Sequence, residues 1–347
     1  MKKPYFPLLL LILAIFSCTH HEKKVYAYDG SSISEYLSDI SKEIIAIPLE
    51  TTSICKINKV RQVQRVGSDI FLLNDNEICR FNRSGSFINK ISLDNTGWIS
   101  NYTINSDNRQ IIILDSLHQL HYYSYDGNKL SQKDVSHSPL WQTLYKVVYH
   151  KQALWAIAEN ITADNHYQKW LYKLDPDFNL MEGTQLCNAD LGRFYLEGHF
   201  TPELSVIDDM IYVYSPLSYK ETILQDTHYL ISNLSHEQNL IKLTSKPKLV
   251  YTLPVRINRR FVLASYQANY NEKENYLFCF DQVKNKAYPF HGFIDNFYKT
   301  GLVNNLQALD IYNNQFYFYK SGQDVIESFP DRTPDDNPVL FFVTLKS

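Results

Sequence analysis

Glycine is scarce in this chain, with 11 residues among 347. That scarcity disfavours a glycine-rich phosphate cradle, and neither a P-loop nor a G-x-G-x-x-G run occurs. Charge of one sign is also missing. The 34 Lys and Arg nearly balance 37 Asp and Glu, for a formal net charge of -3, so the basic footprint of a nucleic-acid binder is absent. There is no C-x-x-C, which removes the usual zinc and thioredoxin-like motifs. H-E-x-x-H and G-x-S-x-G are absent too. No long helical pattern interrupts the chain; Ser34 to Ile45 has room for one short turn of helix.

What is present begins with an address. Lys2 and Lys3 precede an apolar run from Pro7 to Phe16. The run is about ten residues long, half of the roughly twenty that cross a bilayer, and so has the length of a signal peptide's core. It ends at Ile15-Phe16-Ser17-Cys18, which resembles a bacterial lipobox, although Phe16 is bulkier than the usual occupant. The resemblance implies that 1–17 is a signal peptide and that Cys18 is acylated and becomes the new N-terminus. Two or three acyl chains anchor durably to a membrane where one does not. The polar stretch after Cys18, including His20 and His21, has the composition of a solvated tether, and the tether is expected to span 18–42. With Cys18 assigned to lipid, Cys55, Cys79, Cys187 and Cys279 remain. An even number permits disulfides in an exported protein. Cys79 and Cys279 sit inside apolar strand-like runs, where a thiol behaves as a small hydrophobe.

Aromatic residues make up 14% of the chain, with 26 Tyr and 19 Phe, and both types favour pleated sheet. Short β-rich runs alternate with Asn, Asp, Gly and Ser. Ile70–Leu73, Ile78–Phe81 and Phe87–Ile91 form one strand–turn–strand–turn–strand phrase. It returns at Ile111–Leu114 and Leu120–Tyr125, at Ala153–Ile157 and Trp170–Leu174, and at Tyr276–Asp281. Turns fall near residues 84, 127, 176 and 283. A repeat of about 40–50 residues with about four strands is the mark of propeller blades. Residues 43–347 therefore predict an all-β, six-bladed β-propeller. The run Glu43–Glu50 at one end and Pro338–Leu345 at the other predict strands of a single blade that closes the ring, with Pro48 on an outer edge. The blade around Tyr214 to Leu253 does not partition into clear strands.

Three phrases carry a family resemblance: Ile47-Pro48-Leu49-Glu50-Thr51-Thr52, Arg80-Phe81-Asn82-Arg83-Ser84-Gly85-Ser86-Phe87, and Asp335-Asp336-Asn337-Pro338-Val339-Leu340. They resemble the six-bladed β-propeller lipoproteins of Bacteroidota, which are NHL-like or TolB-like in their blades. The resemblance covers nearly all of the mature chain. Its motifs are structural, so it implies a fold and a membrane-anchored envelope location and assigns no chemistry. The tryptophan-aspartate and kelch signatures are absent.

Searches for a reactive site return little. Asp175-Pro176-Asp177-Phe178-Asn179 begins like a calcium loop, but Leu180 and Leu186 stand where glycine and glutamate are needed. A hairpin turn is expected there. His118 and His121 are three apart, on opposite faces of a strand. No catalytic, metal or cofactor set emerges. Asp115-Ser116-Leu117 resembles the Asp-Ser/Thr-aliphatic O-glycosylation acceptor of Bacteroidota, which marks Ser116. Trp98, Trp141 and Trp155 are expected to be packed, with ligand stacking as the alternative. Two functions stay open. One is an envelope binding or scaffold module for a glycan, peptide or protein partner. The other is a propeller lyase or hydrolase, which a cluster of histidines and carboxylates at the channel mouth would favour.

Overall fold

A computed structural model of the chain describes residues 25–28, 35–93, 97–136, 143–190, 203–207, 210–218, 223–230, 235–243, 251–252, 256–257, 260–267, 276–281, 283–284, 286–288, 292–304, 306–310 and 313–347. Their strands form six sheets of four or five strands and one of three. The six larger sheets are the blades of a propeller, antiparallel throughout except where Val25–Tyr28 joins one of them in parallel. Blade 1 holds Val60–Val66, Asp69–Asn74, Glu77–Asn82 and Phe87–Ser92. Blade 2 holds Ile99–Asn105, Gln110–Asp115, Gln119–Ser124 and Lys129–Asp134. Blade 3 holds Thr143–His150, Ala153–Ile161, His166–Leu174 and Leu180–Asp190. Blade 4 holds Glu203–Ile207, Met210–Ser218, Ile223–Leu230 and Ser235–Leu243. In blade 5, Tyr251–Thr252 and Arg256–Ile257 both pair with Phe261–Gln267, followed by Tyr276–Asp281 and Lys286–Tyr288.

Blade 6 closes the ring. Gln307–Asp310, Gln315–Lys320 and Val339–Leu345 come from the end of the chain, and Ser41–Pro48 from its start lies antiparallel on the outside, with Ile47 opposite Leu340 and Ile45 opposite Phe342. Pro48 sits on that outer strand, where a missing N–H breaks no ladder.

The continuous apolar runs follow from burial on both faces. In blade 2, Ile111 and Ile113 pack with Phe71 and Leu73 of blade 1, while Ile112 and Leu114 pack with Leu154 and Ala156 of blade 3. In blade 6, Leu340 and Phe342 pack on Ile70, Leu72 and Phe81 of blade 1. Val339, Phe341 and Val343 face Phe261, Leu263 and Cys279 of blade 5. Blade 3 meets blade 4 through Ile157, Leu171, Ile211 and Val213. One face alone would leave half of each such run in water.

Polar devices fix the outer parts. Buried Asn337 accepts from Ile57 N (2.7 Å) and donates to Glu50 O (2.7 Å) and Cys55 O (3.0 Å), clamping the segment that leads from Pro48 into blade 1. Gly85 has φ +89°, and a Cβ there would lie 2.1 Å from Pro48 O, so only glycine fits this turn against the closing strand. The repeated turns are Asx-type: Asn82 Oδ1 accepts from Ser84 N and Ser86 N at 2.9 Å, and Asp281 Oδ1 accepts from Val283 N (3.0 Å) and Lys284 N (3.1 Å).

One boundary needs correction. The tether boundary at 42 moves, because Val25–Tyr28 pairs in parallel with Ser235–Leu243 and Glu35–Tyr36 with Phe293–Asp295. The single helical turn Leu37–Ile40 then buries Leu37 and Ile40 completely. Two apolar residues three apart fix that turn, although their polar neighbours make the segment look solvated. Blade 4 partitions into the four strands given above. Cys55, Cys79 and Cys279 are free thiols, all buried. Cys79 lends a hydrogen bond to Cys55, which lowers the Cys55 thiol pKa and pushes that of Cys79 up. Cys187 lies on the strand Leu180–Asp190.

Candidate functional site: the central channel

The first strand of a blade leaves one edge open toward the channel, and in this chain those strands carry polar residues there. Arg61-Gln62-Val63-Gln64-Arg65 opens blade 1, and blades 2, 3 and 6 open with Ser100 and Asn101, Tyr145 and Lys146, and Gln307. They surround a cavity of about 790 Å³, lined by these residues together with Thr103, Asp107, Tyr149, His150, Lys151 and Asp310.

Side chains of one blade satisfy the open edge of the next. Gln64 Nε2 and Gln62 Nε2 donate to Tyr102 O at 2.8 and 3.3 Å. Asn101 Oδ1 accepts from Val147 N and Thr103 Oγ1 from Tyr149 N, both at 2.9 Å. Asn101 Nδ2 also donates to Gln62 Oε1 at 3.3 Å. Buried edge groups need such partners, since each one left unpaired costs about 1–3 kcal/mol. The inner strands of blades 1, 2 and 3 are thereby joined edge to edge.

Charge in the channel is uneven. Among the described lining residues, Arg61, Arg65, Lys146 and Lys151 face two carboxylates, Asp107 and Asp310. Arg61 Nη1 donates to Asp75 O (2.9 Å) and Ile99 O (3.2 Å). Arg65 lies 4.7 Å from the Phe342 ring centroid. Burial, reinforced by Glu159, pushes the Tyr145 phenol up; burial, with Asp107, does the same to Tyr149. Both remain protonated donors at neutral pH.

The residues singled out from sequence fall elsewhere. Cys18, His20, His21 and Trp141 lie outside the described residues. Ser116 is exposed in a turn, accepting from Trp98 N (3.0 Å) at its hydroxyl. Its neighbour Asp115 is buried, with Oδ1 accepting from Leu117 N and Gln119 N and Oδ2 lying 2.9 Å from His121 Nε2. This buried pair is a turn clamp. His118 has φ +57° and sits in that turn rather than on the strand. Asp175 closes a hairpin through Asn179 N (2.8 Å), as expected. Trp155 is half-buried with Lys173 over its ring at 5.5 Å. Trp98 is 63% exposed, contrary to the packed expectation, because it precedes the strand Ile99–Asn105 and has no blade to lie under. Among the described residues, no group of three or more His, Cys, Asp and Glu is placed to hold a metal, and no helix is long and apolar enough to cross a membrane.

A family model described as a 6-bladed beta-propeller, DUF5128, matches residues 17–316. The chain belongs to this six-bladed β-propeller family. The family match ends inside blade 6, before Val339–Leu345. A solved structure from Bacteroides fragilis, named as a candidate exported protein, superposes with a TM-score of 0.63 at 14% identity, covering 93% of this chain and 100% of the other. That likeness shows the fold. A Bacteroides caccae protein of unknown function gives a TM-score of 0.36 at 10% identity, covering 72% and 82% of the two chains. BamB from Moraxella catarrhalis gives 0.40 at 10% identity, covering 86% and 97%. No curated protein matches the sequence significantly.

Proposed function

We propose that this chain is an exported lipoprotein of the cell envelope, anchored through Cys18, whose propeller binds a ligand in its central channel. The observation that carries the binding role is the channel wall. Its strand edges on blades 2 and 3 are bonded by Gln62, Gln64, Asn101 and Thr103, and the cavity they border is lined by charged, phenolic and apolar side chains together. The lipobox pattern and the apolar run before it support the anchor, as does the export suggested by the name of the Bacteroides fragilis relative. Ser116 is the proposed O-glycan acceptor. Its exposure and that of Leu117 support this, and the burial of Asp115 means that an enzyme reading the whole motif acts before blade 2 closes.

The test is a glycan and peptide array with the full chain in detergent, alongside activity screens on the same compounds with and without calcium or zinc. Saturable binding without turnover is expected. Metal-dependent product formation that is lost when His150 is replaced would substitute an enzyme for a binding module. The anchor is tested separately by Cys18→Ser, which moves the protein to the soluble fraction; a variant that still takes up palmitate analogues would refute it.

A further inference from the structure

Two buried thiols meet at the seam between blades 6 and 1. The turn that leads from Pro48 into blade 1 is pinned on both sides of Cys55. Cys55 N donates toward Thr52 O (3.3 Å) and Thr52 Oγ1 (3.0 Å), and Cys55 O accepts from Asn337 Nδ2 (3.0 Å). Asn74 holds the next few residues: its Nδ2 donates to Lys56 O (3.0 Å), and its Oδ1 accepts from Asn58 N (2.9 Å) and Lys59 N (3.2 Å). The turn is thus seated at the Asn74 end of the strand Asp69–Asn74. Leu72 of that strand shares a face with Asn74 and stands opposite Cys79. The apolar cluster that buries Leu72 and Cys79 against Leu340 and Phe342 also holds Cys55. Within it the Cys79 thiol donates a hydrogen bond to the Cys55 sulfur. Cys279 lies apart, between blades 5 and 6, and Cys187 is on blade 3.

We propose that Cys55 and Cys79 form a disulfide in the exported protein, a bond that fastens the segment after the closing strand to the third strand of blade 1. The inference rests on the export proposed above, because a thiol pair stays reduced in the cytosol and is oxidised outside it. The oxidant is a protein disulfide of the dithiol-oxidase class. One cysteine thiolate attacks a sulfur of that disulfide and releases the other sulfur as a thiolate. The second cysteine thiolate then attacks its partner's sulfur in the mixed disulfide and releases the remaining donor sulfur. One S–S bond forms in this chain and one breaks in the donor. Two electrons pass to the donor, and the two thiol protons end on its sulfurs. Both thiols are almost wholly buried in the closed seam, so the exchange takes place before blade 6 packs on blade 1. The pair needs little of the ring to meet, since the turn and the strands Val60–Val66, Asp69–Asn74 and Glu77–Asn82 follow one another in the chain. In the closed ring the bond lies beside the Asn337 clamp and holds covalently the turn that Asn337 holds by hydrogen bonds.

The experiment is a peptide map of the full chain, taken from cells whose thiols are blocked with N-ethylmaleimide in denaturant. The expected result is a cross-linked peptide pair containing Cys55 and Cys79, lighter by two hydrogens than the reduced pair, with Cys279 carrying the blocking group. The same map reads the state of Cys18. Blocked Cys55 and Cys79 beside an acylated Cys18 would overturn the bond and leave export standing. Blocked Cys55 and Cys79 in a soluble chain with Cys18 unacylated would strike the export reading and the bond with it. Melting temperature supplies a second readout. The parent, reduced in denaturant and refolded with dithiothreitol, should melt several degrees below the oxidised parent. The double variant Cys55→Ala/Cys79→Ala should melt at one temperature with and without reductant. If the thiols serve only as apolar filling, reductant will not move the parent either, and that result would overturn the proposal; so would an equal shift in the variant.

Discussion

The seam between blades 6 and 1 and the ring of inner strands are built from opposite materials. The seam is apolar, with Leu340, Phe342 and Tyr317 against Ile70, Leu72 and Phe81, and it is clamped at its rim by Asn337. The inner ring joins blades 1, 2 and 3 by amide and hydroxyl contacts to backbone edges. Both solve the same problem, since every blade has two faces and an inner edge to satisfy. The seam stabilises through area removed from water. The ring seals edges while leaving polar groups on the axis. Closing the propeller and lining the channel therefore rest mainly on different residues, with Val63 and Tyr317 shared by both.

Removing the closing strand should break the seam outright. Deletion of Val339 to Ser347 strips six buried apolar side chains. At about 1.5–3 kcal/mol each they match or exceed the roughly 5–15 kcal/mol of a typical domain, so calorimetry should show no cooperative melt. A melt at the parent temperature would refute ring closure by this strand. Gly85→Ala comes next. It adds a Cβ 2.1 Å from Pro48 O at φ +89°, for a cost of about 3 kcal/mol or more from strain and overlap, read as a lower denaturant midpoint. On the inner ring, Asn101→Ala leaves Val147 N without its partner, a loss of about 1–3 kcal/mol. It should lower the melting temperature less than Gly85→Ala does.

The smallest effect concerns acid. Burial works to raise the Asp281 pKa, but the Arg260 bonds at 3.0–3.2 Å and the N–H groups of Lys284 and Val283 outweigh it and hold it below 3.8. A depressed carboxyl pKa adds stability above its unfolded value and loses it as pH falls through the folded one. Melting temperature should therefore drop below about pH 4, and Asp281→Asn should flatten that slope. An unchanged slope would mean that the pair does not couple to folding.

The fold was largely legible because burial on two faces writes itself as apolar runs. Ile111–Leu114 and Val339–Val343 announce strands between two neighbours, and the Asn82, Asp175 and Asp281 turns mark the period. Blade 4 was not legible, because Gln225-Asp226-Thr227-His228 and His236-Glu237-Gln238-Asn239 are unbroken polar runs with no apolar alternation in the sequence. The channel was hidden for a different reason. Its residues are ordinary polar and apolar ones, scattered from Arg61 to Tyr317, and only the fold brings them together. A signal was available in Arg61-Gln62-Val63-Gln64-Arg65, four polar residues about one valine just before the apolar strand run Ile70–Leu73.

The separation of closure from recognition is tested most directly by measuring melting temperature and affinity for a probe bound on the glycan and peptide array together for Asn337→Ala and Arg61→Gln. Asn337→Ala removes three bonds at the seam and should melt several degrees lower while binding the probe as tightly as the parent, well below its melt. Arg61→Gln gives up the bonds to Asp75 O and Ile99 O, so it should melt slightly below the parent, less so than Asn337→Ala, and bind about ten-fold more weakly. If Asn337→Ala loses binding, or if Arg61→Gln melts as low as Asn337→Ala, seam and channel are a single coupled structure and the division of labour is wrong.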